Sequence, residues 1–165
     1  MKIRKPIHDN WETPQEVLSA IKSEFGNFFD PCPLNNDLSK WDGLKSDWQG
    51  GVCFINPPYS RKLKEAFIMK ALEESKKGKT CILLLPVSTD TKIFHEVIYP
   101  NAIIRFLKGR VKFKGINSKG IYVTNNSGMS GSMLVIFKGD MARSALKYGK
   151  GNDKTKRAVI KTLNG

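Results

Sequence analysis

Metal-ligating residues are scarce in this chain, with three cysteines and two histidines among 165 residues. Cys32, Cys53 and Cys81 are odd in number and widely spaced, a pattern that fits neither a disulfide framework nor a zinc knuckle. His8 and His95 stand far apart, so no metal site is expected. Cys53 and Cys81 fall in apolar runs and are expected to be small core residues. Long hydrophobic runs are also missing, and the longest is far too short to span a bilayer. The segment Met1-Lys2-Ile3-Arg4-Lys5-Pro6 lacks the apolar stretch of a secretory signal. No membrane association is therefore expected, and a reducing cytoplasm is the expected setting. There is no Gly-x-Gly-x-x-Gly turn and no Gly-x-x-x-x-Gly-Lys loop, which disfavours dinucleotides and nucleoside triphosphates. Acidic residues are the minority charge: 15 Asp+Glu against 28 Lys+Arg leave a formal net charge of +13. Such an excess favours a polyanionic partner such as nucleic acid, although it also serves solubility.

What is present alternates between strand-like and helix-like segments, with no internal repeat. Thr13-Pro14 opens a helix, with Thr13 as cap and Pro14 at the first helical position; Val17, Leu18 and Ile21 give it an apolar face. A strand is expected around Phe28-Phe29-Asp30. A polar, irregular stretch from Pro31 to Gly51 follows, with short strands possible near Leu44-Lys45. Val52-Cys53-Phe54-Ile55 reads as a short buried strand, and Leu63 to Lys77 as a helix ended by Gly78. Thr80 to Leu85 is the clearest buried strand, stopped by Pro86. A helix through Ile93, Phe94 and Val97 precedes a strand at Ala102–Leu107. Gly115 to Gly131, rich in Gly, Asn and Ser, reads as a loop before a final strand, Ser132–Phe137. Length predicts one domain, residues 1–139, followed by a basic tail, 140–165. The alternation argues for a three-layer αβα domain on a mostly parallel sheet. The polar connection before the last strand argues that the sheet ends in an antiparallel pair.

Asn56-Pro57-Pro58-Tyr59 ends the strand at 52–55, where open α/β sheets bind their ligands. The four residues suit methylation of an exocyclic amine. An adenine amino nitrogen has its lone pair delocalised into the ring and is a poor nucleophile. Two acceptors aimed at its N–H bonds localise that pair. The Asn56 side-chain carbonyl can be one and the Pro57 main-chain carbonyl the other. Proline fixes φ and has no N–H of its own to satisfy, and Pro58 restricts Pro57 in turn. Tyr59 offers a flat face for a base. The same tetrapeptide also suits a simple strand-ending turn.

An ordered series surrounds it: Asp9-Asn10-Trp11-Glu12-Thr13-Pro14, Phe25-Gly26-Asn27-Phe28-Phe29-Asp30-Pro31, Asp42-Gly43-Leu44, Asp47-Trp48, Asn56-Pro57-Pro58-Tyr59-Ser60, Leu83-Leu84-Leu85-Pro86 and Gly109-Arg110-Val111-Lys112-Phe113. From about Asp9 to Gly139 the chain resembles the small phage-type DNA N6-adenine methyltransferases, Dam-like enzymes. The resemblance implies a Rossmann-like fold and an S-adenosylmethionine-dependent reaction. It implies double-stranded DNA as partner in a bacterial or phage-infected cell; a monomer is expected. Only about twenty residues separate Asp30 from the motif strand, so the sheet is expected to be truncated on that side. The motif also occurs in methyltransferases that act on RNA or on a protein glutamine amide. A basic nucleic-acid-binding module without catalysis is the remaining alternative.

The resemblance also assigns residues. Asp30 and Pro31 resemble the Asp-Pro segment of amino-methyltransferases, with Asp30 accepting from the methionine ammonium in a charge-assisted bond. Cys32-Pro33-Leu34 stand where glycines usually follow. Thr13 and Pro14 resemble the segment that closes over the methionine carboxylate. Asp47, in preference to Asn35, is the expected contact to ribose or adenine. Trp11, Trp41 and Trp48 are expected to be packing residues. Because a paired adenine amine cannot be reached in line with the methyl–sulfur bond, base flipping is expected. Arg61, Lys62, Lys64, Lys108, Arg110, Lys112 and Lys114 are candidate phosphate contacts. Asn117 to Ser130 is the candidate reading loop, expected to be poorly ordered without DNA.

Overall fold

The computed structural model describes residues 11–34 and 39–139. His8, Asn35, the basic arm before Trp11 and the tail 140–165 lie outside the described residues. In chain order the first elements are β1 (Trp11–Glu12), α1 (Gln15–Phe25), β2 (Val52–Ile55), α2 (Arg61–Lys76) and β3 (Thr80–Pro86). A π-helical stretch, Phe94–Ile98, then runs into α3 (Tyr99–Asn101). The chain continues through β4 (Ile103–Phe106), β5 (Phe113–Ile116), β6 (Tyr122–Asn126) and β7 (Ser132–Lys138).

The main sheet has the order β2-β3-β7-β4. β2 and β3 pair in parallel, while β7 is antiparallel to both β3 and β4. By its pairings the sheet is therefore mixed, where a mostly parallel one was expected, although only β7 runs against the other three strands. The expected antiparallel pair at the end is β4–β7. The Leu107 N–H donates to the Ser132 carbonyl at 2.9 Å. Residues 107–131 thus leave and rejoin the sheet at one edge, which forces β7 to run back.

Alternation along the strands explains how helices cover both faces. Cys53, Ile55, Cys81, Leu83, Leu85, Met133, Val135 and Phe137 face one way and pack with Phe67, Ile68, Ala71 and Leu72 of α2 and with Phe94 and Ile98. Phe54, Ile82, Leu84, Leu134 and Ile136 face the other way and pack with Val17, Leu18 and Ile21 of α1. Each helix supplies an apolar stripe at three- and four-residue spacing. β3 and β7 are covered on both sides, which is why they read as continuous apolar runs. Cys53 and Cys81 are buried free thiols at paired positions of β2 and β3. No helix among the described residues is long and apolar enough to cross a membrane.

Four expectations change in detail. The strand at Phe28–Asp30 is a single parallel bridge, Phe29 to Cys53. No regular strand forms near Leu44: the Asp42 carboxylate accepts from the Leu44 N–H at 3.0 Å, and its carbonyl accepts from Lys45 and Ser46. That local side-chain bond holds a turn where a strand would need extended backbone. α1 begins at Gln15 with Pro14 at the cap position and no side-chain cap. The segment read as a loop from Gly115 holds most of a hairpin, β5–β6. Its turn is closed by Asn117, whose Oδ1 accepts from the Lys119 and Ile121 N–H groups at 2.9 and 3.0 Å. β5 also pairs with β1, so a second sheet of order β1-β5-β6 stands beside the main one.

Gly43 marks a close approach that positions the segment after Asp30. A Cβ added there would lie 1.9 Å from the Pro31 carbonyl oxygen and 3.3 Å from the Phe67 ring. Gly43→Ala is expected to force the Pro31 backbone away from α2 at a cost of about 1–3 kcal/mol. Thermal unfolding of the variant checks this; an unchanged midpoint would mean the 31–43 contact yields freely.

Candidate active site

Asn56 follows the last residue of β2, where the main-sheet strands β2 and β3 open toward the second sheet. Its Nδ2 donates to the Trp11 main-chain carbonyl at 2.7 Å and to the Thr13 hydroxyl oxygen at 3.1 Å. A main-chain carbonyl only accepts, so the amide nitrogen must face Trp11. Oδ1 therefore points the opposite way. It is buried and has no hydrogen-bond partner. A buried acceptor without a partner costs about 1–3 kcal/mol, and such an atom calls for a donor.

Asn56 lines a cavity of about 170 Å³ together with Trp11, Glu12, Thr13, Leu18, Asp30, Cys32, Leu34 and Phe54. Among the described residues, two carboxylates, Glu12 and Asp30, belong to the wall, and no lysine or arginine does. That is notable in a chain of net charge +13. The lining favours a small ligand carrying positive charge, with Trp11, Leu18, Leu34 and Phe54 for its apolar parts. Asp30 is shaped by its own loop: Oδ1 accepts from the Cys32 N–H at 2.8 Å.

Of the nine residues expected in the site, the cavity brings together Thr13, Asp30 and Asn56. Pro14 lies just behind, where its carbonyl accepts from Val17 and Leu18 at the start of α1. Pro31 is buried and accepts from Trp41 Nε1 at 3.2 Å, so it braces the Asp30 loop from below. Pro57 and Pro58 are buried and Tyr59 is half-buried. The Tyr59 ring meets Phe113 of β5 edge to face, at 5.9 Å and 88°. Its buried hydroxyl has no partner, and burial pushes the phenol pKa up.

Asp47 does not join them. Its side chain is 88% exposed and lies 3.9 Å from Lys77, just past the end of α2. Asn56 precedes the other end of the same 16-residue helix, and Asp47 is not among the residues that line the cavity with it. The neighbouring Trp48 explains the outward turn: its indole is buried and donates to the Gly43 carbonyl at 2.7 Å. Trp41 and Trp48 are packing residues, while Trp11 walls the cavity. Glu12, Leu18, Leu34 and Phe54 were not anticipated. Glu12 carried the one usable signal, an acid directly before Thr13-Pro14.

The stretch that joins β4 to β7 is cationic, with Lys108, Arg110, Lys112, Lys114 and Lys119 between those strands. From Val97 to Gly139 the chain has no Asp or Glu, and carries Arg105, Lys108, Arg110, Lys112, Lys114, Lys119 and Lys138. Ile121, Tyr122 and Met129 are large apolar side chains exposed on the same hairpin and the loop after it. Arg110 Nη1 donates to the Gly128 carbonyl at 3.2 Å and ties the loops at the two ends of the hairpin together. Arg61 and Lys64 line a second cavity, of about 390 Å³, with Lys92 and the end of β3.

Comparison with known proteins gives the family. The family described as DNA N-6-adenine-methyltransferase (Dam) matches residues 1–159. A DNA N-6-adenine-methyltransferase of Haemophilus phage HP1 (strain HP1c1) is 30% identical over 156 residues, covering 87% of each chain.

Proposed function

This chain belongs to the DNA N-6-adenine-methyltransferase (Dam) family, and on that premise we propose that Asn56 and Pro57 are the acceptors for the amino group it methylates. The chain is an adenine-specific DNA methyltransferase, which sets aside RNA, protein glutamine and a non-catalytic role. The observation that carries the reading of the site is the Asn56 Oδ1 atom, buried and unpartnered on a residue that lines the cavity. It takes one N–H of an extruded adenine, and the Pro57 carbonyl takes the other. With both hydrogens held, the nitrogen lone pair is localised toward the methyl donor. Pro58 stiffens the turn and Tyr59, backed by Phe113, is the stacking face, worth roughly 1–3 kcal/mol per base. The protein contributes position and ready-made acceptors. No general base is required beforehand, because the methylated amine sheds its proton afterwards.

Enzymes of this class take the methyl from S-adenosylmethionine, which presents it on a positively charged sulfonium. Asp30 and Glu12 suit the positive groups of such a donor, with Asp30 accepting from the ammonium. Thr13 and Pro14 border the same space, with Pro31 beneath. The Rossmann-like reading of the fold belongs with this proposal and is supported by helices on both faces and ligand-binding residues at the carboxyl ends of strands. Residues 1–139 are taken as the working domain and 140–165 as a basic tail. DNA lies along the cationic stretch between β4 and β7, with Lys108, Arg110, Lys112 and Lys114 on phosphates and Arg61, Lys62 and Lys64 extending the track. Within 117–130, the hairpin turn and strand β6 read the site; these residues are a hairpin rather than the open loop expected from composition.

Asp30→Ala is expected to weaken binding of the demethylated donor product about 10- to 100-fold, the loss of one charge-assisted bond. Calorimetry measures it, and an unchanged affinity removes Asp30 from the site. The activity is tested by methyl transfer to duplex DNA, RNA and protein in parallel; only duplex DNA should be labelled, on adenine.

A further inference from the structure

Thr13 stands where sequence rules put a helix cap, yet α1 has no side-chain cap and its cap position falls to Pro14. Forgoing a threonine cap typically costs about 1 kcal/mol. The hydroxyl is engaged elsewhere: it accepts from Asn56 Nδ2 at 3.1 Å, across 43 positions of sequence. The other Nδ2 hydrogen goes to the Trp11 carbonyl at 2.7 Å. A carboxamide nitrogen has two hydrogens, and here both are used. The plane of the amide is then fixed and only Oδ1 is left without a partner. Bonding at the nitrogen also polarises the amide and makes its oxygen a better acceptor. The strand that carries the Trp11 carbonyl is itself held from outside, because β1 pairs with β5 at Trp11–Gly115.

We propose that Thr13 is a positioning residue for Asn56: the Trp11 carbonyl decides which amide atom faces it, and the Thr13 hydroxyl locks the plane of the carboxamide so that its oxygen stays aimed at the substrate amine. The proposal rests on the reading of Asn56 as the substrate acceptor. It gives Thr13 a different task from the donor-carboxylate contact that the family resemblance implies. It also makes β1 a strap: one side fixes the acceptor, and the other is bonded to the cationic hairpin that lies on DNA. Loss of the Thr13 acceptor leaves an N–H unsatisfied and lets the amide tilt about its single remaining bond.

The test compares Thr13→Val, which keeps shape and removes the acceptor, with Thr13→Ser, which restores it. Single-turnover methylation of duplex DNA at saturating donor should fall about tenfold in the valine variant, the cost of one buried unsatisfied group. The serine variant should stay within about twofold of wild type on the same grounds. KM for DNA and calorimetric affinity for the demethylated donor should match wild type in both. If Thr13→Val does not fold, Thr13→Ala is compared with the serine variant in its place. An unchanged rate in the valine variant overturns the proposal. So does weaker donor binding with a normal rate at saturation, which would make Thr13 a donor contact. Wild-type protein that labels no DNA overturns the functional reading and this proposal together, so the two failures are separable.

Discussion

Asn56→Ala is expected to reduce methyl transfer roughly 10²- to 10³-fold or more, the range seen when one preorganised polar partner of a transition state is removed. Donor affinity should survive, because Asp30 and Glu12 are untouched. The expectation comes from charge development. As the amine nitrogen attacks, positive charge grows on it and its N–H bonds become stronger donors. An acceptor in place is therefore worth more in the transition state than in the bound substrate, and removing it lowers kcat rather than binding. The variant also deprives the Trp11 carbonyl and Thr13 hydroxyl of their donor. A modest loss of stability is thus expected, and thermal unfolding must be read beside the kinetics. A folded Asn56→Ala protein with normal turnover would remove the residue from the mechanism.

Glu74→Ala is expected to be the most damaging change away from the site. Glu74 is fully buried, and its carboxylate meets Lys77 at 2.7 Å, Lys79 at 2.6 Å and Lys70 at 3.6 Å. Lys79 also donates to the Trp48 carbonyl. One carboxylate thus ties the end of α2 to the start of β3 and to the segment before β2. Removing it strands Lys70 and Lys79, whose side chains are only 16% and 19% exposed. Breaking a buried pair from one side costs about 3 kcal/mol at the lower end of its range. That corresponds to a fall of roughly 10 °C in Tm for a domain of this size. The same cluster gives a pH signature. Burial alone would raise the Glu74 pKa, but the hydrogen bonds from Lys77 and Lys79 outweigh it and the net shift is downward. A carboxyl with a lowered folded pKa stabilises the protein above its ordinary value, given as 4.5. That stabilisation disappears as pH falls through the lower folded value. Wild type should therefore lose stability on acidification through this window, and Glu74→Ala should lose less of it.

Particular residues show what sequence can and cannot reveal here. Val52–Ile55, Thr80–Leu85 and Ser132–Phe137 were legible because burial on two faces leaves an unmistakable apolar run. Asn56-Pro57-Pro58-Tyr59 was legible because its chemistry and its place at a strand end point the same way. The hairpin was obscured by composition: Gly, Asn and Ser dominate its turn and far end, and Asn117 builds the turn with its side chain. β1 has two residues, too few for any periodicity. Thr13 obeys a local capping rule on paper, but a partner 43 positions away takes its hydroxyl. Asp47 stands apart from the cavity for a related reason. Its neighbour Trp48 is pinned inward, and a carboxylate beside a buried indole is turned to solvent at the far end of α2.

The most direct test is to express the chain in cells lacking DNA methylation and map modified adenines by sequencing, with Asn56→Ala expressed to the same level alongside. The expected result is N6-methyladenine at a defined short sequence with wild type and none with the variant. Folded wild-type protein that leaves the genome unmodified, or an Asn56→Ala protein that modifies it equally, would contradict the assignment of that carboxamide as the group that receives the adenine.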